Sequence, residues 1–383
     1  MLVGALSVLI AEEFHLTAAQ KGLLVAVPLL SGAMLRLPVG MSSDYFGPKM
    51  IGLLVLTCEL LAVLWGWRSA NSYAGMLGIG AALGAAGASF AVALPLASRV
   101  YPPVHQGLAM GIAASANSGT VLAAFFAPRL GEMVGWRGVF GLMAVPLLLV
   151  IVLFTALVRS DRTPVDHRTG SQWWNLMTAL FRQPSMYWLC FLYGVTFGGF
   201  VGFSSFLPIF FHDQYGMSLV TAGTITAICG LVGSLARPVG GYAADRAGGV
   251  RMLEVVFPLI VAMTVGMAYL PFKAVAVPLM VAAVAAIGFG NGVVFQVVSD
   301  RFQKQIGAAS GLIGAAGGVG GFLLPVWLGV LKEATGTYGA GFVVFALVSA
   351  VAGSTAVRAL KKMRRSSDSP AAGFVIDSRE RKI

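Results

Sequence analysis

Charged side chains are scarce in this sequence. They make up 11% of its 383 residues, whereas hydrophobic residues make up 57%. An ordinary soluble domain is about one-quarter charged, because water must solvate its surface. The composition therefore excludes a soluble fold of this length. The 49 glycines agree with this conclusion, since glycine is commoner in membrane-spanning helices than in soluble ones.

Cysteine and histidine are equally sparse. The three cysteines, Cys58, Cys190 and Cys229, lie inside apolar runs, so no disulfide framework is predicted. The four histidines fall at loops or helix ends. The sequence carries no metal-ligand cluster, nucleophile–base pair or phosphate-binding loop that we can identify. We therefore expect neither an enzyme nor a bound metal or cofactor.

The net charge of +11 does not indicate nucleic-acid binding. Basic residues concentrate in alternate loops and in the tail, with no basic stripe along one element, and this distribution is how membrane proteins set their orientation. It predicts cytoplasmic N- and C-termini. The opposite loops contain only a few basic residues, namely Lys21, Arg68, Arg129, Arg137, Lys273 and Lys332.

Apolar runs of about 20 residues are long enough to cross a hydrocarbon core of about 30 Å as helices. They fall at 21–41, 50–68, 73–98, 106–127, 138–158, 186–211, 219–240, 252–271, 276–298, 307–331 and 338–360. Residues 1–11 are apolar but too short, at about 16 Å, to cross. We interpret them as the outer half of a first helix whose beginning is missing, with a re-entrant stub as the alternative.

These runs predict an all-α integral membrane protein with two six-helix bundles. We expect bundles at 1–158 and 186–360, a cytoplasmic linker at 159–185 and a disordered cytoplasmic tail at 361–383. The linker contains SQWWNLMTALF, which is typical of a short helix at the membrane interface.

The two halves repeat. RLPVGMSSDYFG in the first half and RPVGGYAADRAG in the second share four residues at one offset of 201 (36 to 237, 44 to 245). Parallel repeats of this kind are the architecture of major facilitators, whose substrate site lies at the midplane between the halves. We assign gating and conformational roles to the loop residues of both copies. They are Gly40, Asp44, Gly47, Gly241, Asp245 and Arg246.

Arg36 and Arg237 each lie about 12 Å before the loop aspartate of their repeat, near mid-membrane. Such a position costs at least about 2.5–3.5 kcal/mol, so an arginine there normally faces a cavity. The alternative is a structural salt bridge, but Glu59 is the only acidic residue deep within a span and could not neutralise both. Two guanidiniums on pseudo-symmetric helices would bind a planar oxyanion through bidentate hydrogen bonds.

Two glycine-rich stretches, GIAASANSG from Gly111 and GLIGAAGGVGGF from Gly311, fall in the predicted helices five and eleven. Small residues at such spacing let helices pack closely. A second interpretation is that their flat faces slide during alternating access, and Asn117 could donate a hydrogen bond to an anion. The glycines to which we assign this conformational role are Gly111, Gly119, Gly317, Gly318, Gly320 and Gly321.

LRLP with Arg36, LARPVGG with Arg237 and the paired glycine stretches resemble the nitrate/nitrite porter family of the major facilitator superfamily. The resemblance implies a two-arginine nitrate site that also contains Asn117, Tyr193 and Phe90. The residues alone would not have singled out these two aromatics, which are more often packing residues. One departure is Gly317, which stands where the first stretch has Asn117.

These observations predict a monomeric secondary transporter of the cytoplasmic membrane. We expect rocker-switch alternating access, with nitrate exchanged for nitrite, because a bound monoanion would screen the repulsion between the two arginines. Proton-coupled nitrate symport is the alternative, with Glu59 as the candidate coupling group. Transport of another small anion, such as a carboxylate, is also open.

Overall fold

The computed structural model describes residues 1–89, 91–93, 119–158, 170–302 and 306–367. All regular secondary structure within these ranges is helical, which confirms the all-α prediction. Ten segments of this part of the chain are long and apolar enough to cross a membrane. The helices are α1 (Leu2–Ala5), α2 (Ser7–Glu13), α3 (Ala18–Phe46), α4 (Pro48–Arg68), α5 (Tyr73–Leu83), α6 (Ala85–Ala88), α7 (Gly119–Leu157), α8 (Gly170–Phe181), α9 (Pro184–Tyr215), α10 (Leu219–Ala247), α11 (Gly249–Ala268), α12 (Lys273–Arg301), α13 (Ile306–Thr335) and α14 (Gly339–Ser367).

Helix α7 contains the end of one predicted span and the whole of the next. The sequence places a loop between 127 and 138, but the two helices join at a single kinked residue, Gly135, with φ 70° and ψ 160°. A positive φ is accessible to glycine without steric cost. One glycine therefore replaces the predicted loop.

The repeat is visible in how the helices begin and end. Thr17 caps α3 by accepting a hydrogen bond from the Gln20 N–H, and Ser218 caps α10 in the same way from the Thr221 N–H. Both helices end at a glycine with positive φ, 90° at Gly47 and 87° at Gly248. Each glycine is also the residue from which the next helix starts, so the two tight loops are built alike.

Two close helix–helix seams join the halves in the described part of the chain. Helix α3 packs against α13, where Gly318 faces Ala33 and Gly22 faces the Pro325 carbonyl. Helix α7 packs against α10, where a Cβ added to Gly223 would lie 2.6 Å from the Ala124 carbonyl oxygen. Because glycine has no side chain, the helix backbones can approach each other closely at these positions.

Polar contacts close one end of the cleft between the halves. Lys21 Nζ lies 2.7 Å from Asp213 Oδ2, and His212 Nε2 lies 3.5 Å from Glu12 Oε1. Glu333 Oε2 accepts a hydrogen bond of 2.9 Å from the Ala19 N–H. We call these three cross-half contacts the latch.

Gly119 at the start of α7 and Gly311 near the start of α13 have space on their Cβ side. Among the described residues, no atom lies within 4 Å of a Cβ added at either position.

Helix α9 is the central element of the second half, and most of its residues from Leu189 to Phe211 are buried. The outer faces of peripheral helices are apolar and exposed, as at Leu157 (74%) and Val152 (63%). An exposed apolar belt is compatible with contact with lipid. Lipid tails are as apolar as these side chains, so no hydrophobic effect favours burying them inside the protein.

Two predicted boundaries can be compared with the helices. Helix α14 continues to Ser367, beyond the predicted bundle end at residue 360, and residues 368–383 lie outside the described ranges. Helix α8 coincides with the predicted interfacial helix, and its Met177 and Leu180 are buried against the core of the second half. The division into two bundles, linker and tail remains a prediction.

Candidate anion-binding site

The two mid-helix arginines converge on one aromatic ring. Arg36 projects from α3 and Arg237 from α10, and their guanidinium carbons lie 5.4 Å and 5.7 Å from the centroid of the Phe197 ring. Both distances are within the range of a cation–π interaction. The pair that the repeat predicts is thus brought to one point, between α3, α9 and α10.

Arg36 is held by backbone carbonyls from both halves. Its Nε donates to the Gly87 oxygen at 3.1 Å, and its Nη1 donates to the Gly314 oxygen at 2.6 Å. Gly314 leaves room for this contact, since a Cβ there would lie 3.2 Å from Nη1. The carbonyls fix the plane of the guanidinium and leave its other N–H groups available.

Arg237 is held less firmly. Within the described residues its side chain has no hydrogen bond or ion pair, and Arg36 likewise has no carboxylate partner there. Both residues are half-buried. A buried charge without a counter-ion is unfavourable unless a ligand supplies one. The described part of the site therefore carries two positive charges that an anion would neutralise.

Tyr193 and Phe197 form the aromatic floor of the site. They are one turn apart on α9, and their rings stack with centroids 5.0 Å apart and an interplanar angle of 4°. Phe295 of α12 contacts Tyr193 edge-on at 5.5 Å. Because Tyr193 stacks on the ring that both guanidiniums approach, it belongs to the same cluster.

Gly317 has a steric explanation in this floor. A Cβ at this position would lie 2.7 Å from Tyr193 Cδ1 and 2.8 Å from Phe197 Cδ1. An asparagine there, as at position 117 in the first stretch, would displace the rings. Helix α13 instead contributes the Gly314 carbonyl, which orients Arg36.

Three further glycines of the second stretch lie in helix contacts. Gly320 faces the Gly194 carbonyl, and Gly318 faces Ala33 across the seam. A Cβ added to Gly321 would lie 3.6 Å from the Gly198 oxygen. Close packing accounts for all of these contacts. A sliding role in transport stays a prediction.

Five of the six predicted loop residues lie instead in the last two turns of α3 or α10, because these helices extend further than predicted, and Gly47 stands between α3 and α4. A Cβ on Gly40 would lie 3.6 Å from Ala91 Cβ, and one on Gly241 would lie 3.9 Å from the Gly292 oxygen. Asp245 is exposed, and Arg246 is stacked on Tyr242 at 4.4 Å. These contacts lie at the helix end, away from Phe197, and gating by these residues remains a prediction.

Several predicted residues are not described. Phe90, Asn117 and Gly111 lie outside the described residues, as does the side chain of Asp44. Glu59 is described and half-buried in α4, with no partner among the described residues. It lies on the face that carries Val55 and Ala62, which is buried within the first half.

Sequence reasoning missed Phe197 and Gly314. Phe197 stands four residues after Tyr193 and so shares its helix face, which was the available signal. A carbonyl acceptor such as that of Gly314 leaves no trace in residue type.

Two helical halves with a half-buried cationic site between them define a membrane carrier. Comparison with known proteins agrees: residues 1–325 match the Major Facilitator Superfamily. An inward-facing, occupied bacterial homologue of the human lysosomal transporter Spinster superposes with a TM-score of 0.77 over 96% of this chain and 94% of that one, at 18% identity. That likeness shows the fold alone.

Sequence relatives narrow the family. The nitrite extrusion protein of Bacillus subtilis is 30% identical over 91% of this chain and 87% of its own length. A protein of Mycobacterium tuberculosis named as a probable nitrate/nitrite transporter is 34% identical over 87% and 85%. One from Thermus thermophilus, named as a probable nitrate/nitrite antiporter, is 29% identical over 92% and 85%. The chain belongs to the Major Facilitator Superfamily and, within it, to the nitrate/nitrite porter family.

Proposed function

We propose that this protein transports nitrate and nitrite across the cytoplasmic membrane by alternating access, and that it exchanges one anion for the other. The observation that carries the proposal is the convergence of Arg36 and Arg237 on Phe197 with no carboxylate on either among the described residues. Nitrate is planar, and guanidinium N–H groups can bind two of its oxygens at once.

Exchange follows from the charges. With an empty site, two like charges face each other across the plane where the halves must close. Because their guanidinium carbons lie 5.4 Å and 5.7 Å from one ring centroid, they are at most about 11 Å apart. In a medium of effective dielectric about 20 their repulsion is therefore at least about 1.5 kcal/mol. A bound monoanion offsets it, so the loaded carrier crosses more readily than the empty one. The protein works as a monomer, since each chain contains both halves of the site. Its C-terminus lies in the cytoplasm, on the side whose loops hold most of the basic residues.

The test is nitrate flux into proteoliposomes with and without internal nitrite. Internal nitrite should accelerate nitrate entry in the wild type. Arg36→Lys and Arg237→Lys should each reduce entry at least about ten-fold, because lysine lacks the bidentate N–H pair. Arg68→Lys is the matched control, since Arg68 is exposed at the end of α4 and stacked on Trp67.

Proton-coupled symport is the second candidate, favoured by Glu59, a carboxyl group in the middle of a spanning helix. In that case nitrate entry would follow an imposed proton gradient, ignore internal nitrite and be uncoupled by Glu59→Gln. If neither regime drives nitrate, a panel of small carboxylates would decide whether the arginines serve another anion.

A further inference from the structure

Asn291 is an unexplained polar residue in the core of the second half. Its exposure is 0%, and neither Oδ1 nor Nδ2 has a hydrogen-bond partner in the described part of the chain. Buried amides are nearly always paired, because an unmade hydrogen bond forfeits the hydration of the group. A wholly unpaired amide therefore indicates that a partner is absent from this state of the protein.

The face of α12 that carries Asn291 points towards α9. Ile287, four residues earlier, lies 3.5 Å from a Cβ added to Gly199, and Phe295, four residues later, packs on Tyr193. Residues four apart share a helix face. Asn291 therefore lies between these two contacts, at the level of the aromatic floor.

Arg237 approaches the same contact between α9 and α12 from α10. A Cβ added to Gly233, one turn before Arg237, would lie 2.7 Å from Phe200 Cε2 and 2.9 Å from Val284 Cγ1. Val284 is two turns before Asn291 on the same face of α12. Helices α10 and α12 are thus in contact at Gly233 and Val284. Arg237 lies one turn further along the contacting face of α10, and Asn291 lies two turns further along that of α12.

The repeat shows what Arg237 lacks. Gly40 contacts Ala91 and Gly241 contacts Gly292, so α12 occupies in the second half the place of segment 73–93 in the first. That segment supplies the Gly87 carbonyl to Arg36. Arg237 has no such acceptor within the described residues, and Asn291 is an unused acceptor on the equivalent helix.

We propose that Asn291 is the positioning residue of Arg237: when an anion occupies the site, Oδ1 accepts a hydrogen bond from the guanidinium and fixes its plane, as the Gly87 carbonyl does for Arg36. The inference rests on the proposed function as an anion carrier. It explains why the two arginines, alike in position, are held differently in this structure.

The first test is Asn291→Asp in the purified full-length protein, measured by thermal unfolding with and without nitrate. A carboxylate that meets Arg237 forms an ion pair, so the melting temperature without nitrate should rise, and the nitrate-induced rise of the wild type should disappear because the cation is already neutralised. Adding Arg237→Gln should abolish the stabilisation. A lower melting temperature in Asn291→Asp would show an isolated buried carboxylate and would overturn the proposal.

The second test is Asn291→Leu, which keeps the volume and removes the amide. Without nitrate it should melt no lower than the wild type, because no native hydrogen bond is lost, while the nitrate KM should rise about ten-fold with kcat little changed, the effect of losing one hydrogen bond to a charged group. Ser349→Ala is the control: Ser349 is buried and unpaired in the described residues but lies on α14, and its removal should leave KM unchanged.

The outcomes separate the two proposals. If Asn291→Leu has the nitrate KM of the wild type, and the wild type transports nitrate, the role of Asn291 is overturned but the proposed function is not. A wild-type protein that neither binds nor carries nitrate overturns both proposals.

Discussion

The latch makes a quantitative prediction about how the carrier opens. Lys21 on α3 and Asp213 at the end of α9 belong to different halves, and their side chains are 20% and 19% exposed. Asp213 also accepts a hydrogen bond of 3.1 Å from the Tyr338 hydroxyl. Burial, together with the Asp213 carboxylate, raises the pKa of Tyr338 above its ordinary value, so this hydroxyl stays a donor. Lys21→Ala would leave Asp213 with that one partner among the described residues.

The size of the effect lies between two limits. Exposed ion pairs contribute about 0.2–1 kcal/mol, and breaking a buried pair costs about 3–5 kcal/mol. Lys21 and Asp213 are one-fifth exposed and Tyr338 remains, so we expect about 1–2 kcal/mol. Because the bond exists only while this end is closed, Lys21→Ala should shift the equilibrium towards opening by about 5- to 30-fold.

The assay is labelling of Val25→Cys by a membrane-impermeant maleimide, in a background without the native cysteines. Val25 is 2% exposed and packs on the core of the second half beneath the latch. Its labelling rate should rise about 5- to 30-fold in Lys21→Ala, as the opened population grows. The exchange Lys21→Asp with Asp213→Lys should restore slow labelling.

Lys49→Ala is the control, because Lys49 Nζ donates to the Thr155 carbonyl within the first half. An unchanged labelling rate in Lys21→Ala, or a charge exchange that fails to restore protection, would refute the view that this pair holds the cleft closed.

Two further predictions concern stability. Gly248→Ala should destabilise the protein by about 1–2 kcal/mol, because the residue has φ 87°; thermal unfolding checks this against Gly311→Ala, where the added Cβ has open space. Burial alone would raise the pKa of Glu13, but hydrogen bonds from Arg137 and Trp136 outweigh it and lower that pKa. The ionised Glu13 and its two partners should therefore stabilise the fold at pH values above the ordinary carboxyl pKa of about 4.3, and this stabilisation should be lost as the pH falls through the lowered pKa of Glu13. The melting temperatures of the wild type and of Glu13→Gln should consequently converge in acid.

The sequence predicts best those features that apolar context makes conspicuous. Arg36 and Arg237 stand out because a charge within a membrane-spanning run is energetically costly. The glycines at 47 and 248 stand out because they recur at the same place in the two copies of the repeat. The structure brings the arginines together and gives both glycines a positive φ.

Other features depend on contacts that residue type does not reveal. Phe197 is one of many aromatics on α9, and only the fold shows that it is the ring both arginines approach. The partners of Arg36 are backbone carbonyls, which every residue has. Lys21 and Asp213 lie 192 residues apart, so their pairing requires the arrangement of the two halves.

The bond from Arg36 to Gly314 links occupancy to motion. It is a 2.6 Å contact between a cation of the first half and a carbonyl of the second, made in the same seam that holds α3 to α13. Nη1 carries two hydrogens, so it can keep this carbonyl while the remaining N–H groups of the guanidinium bind an anion. In the carrier proposed above, the seam between α3 and α13 therefore cannot separate without breaking a hydrogen bond of the residue that binds the anion.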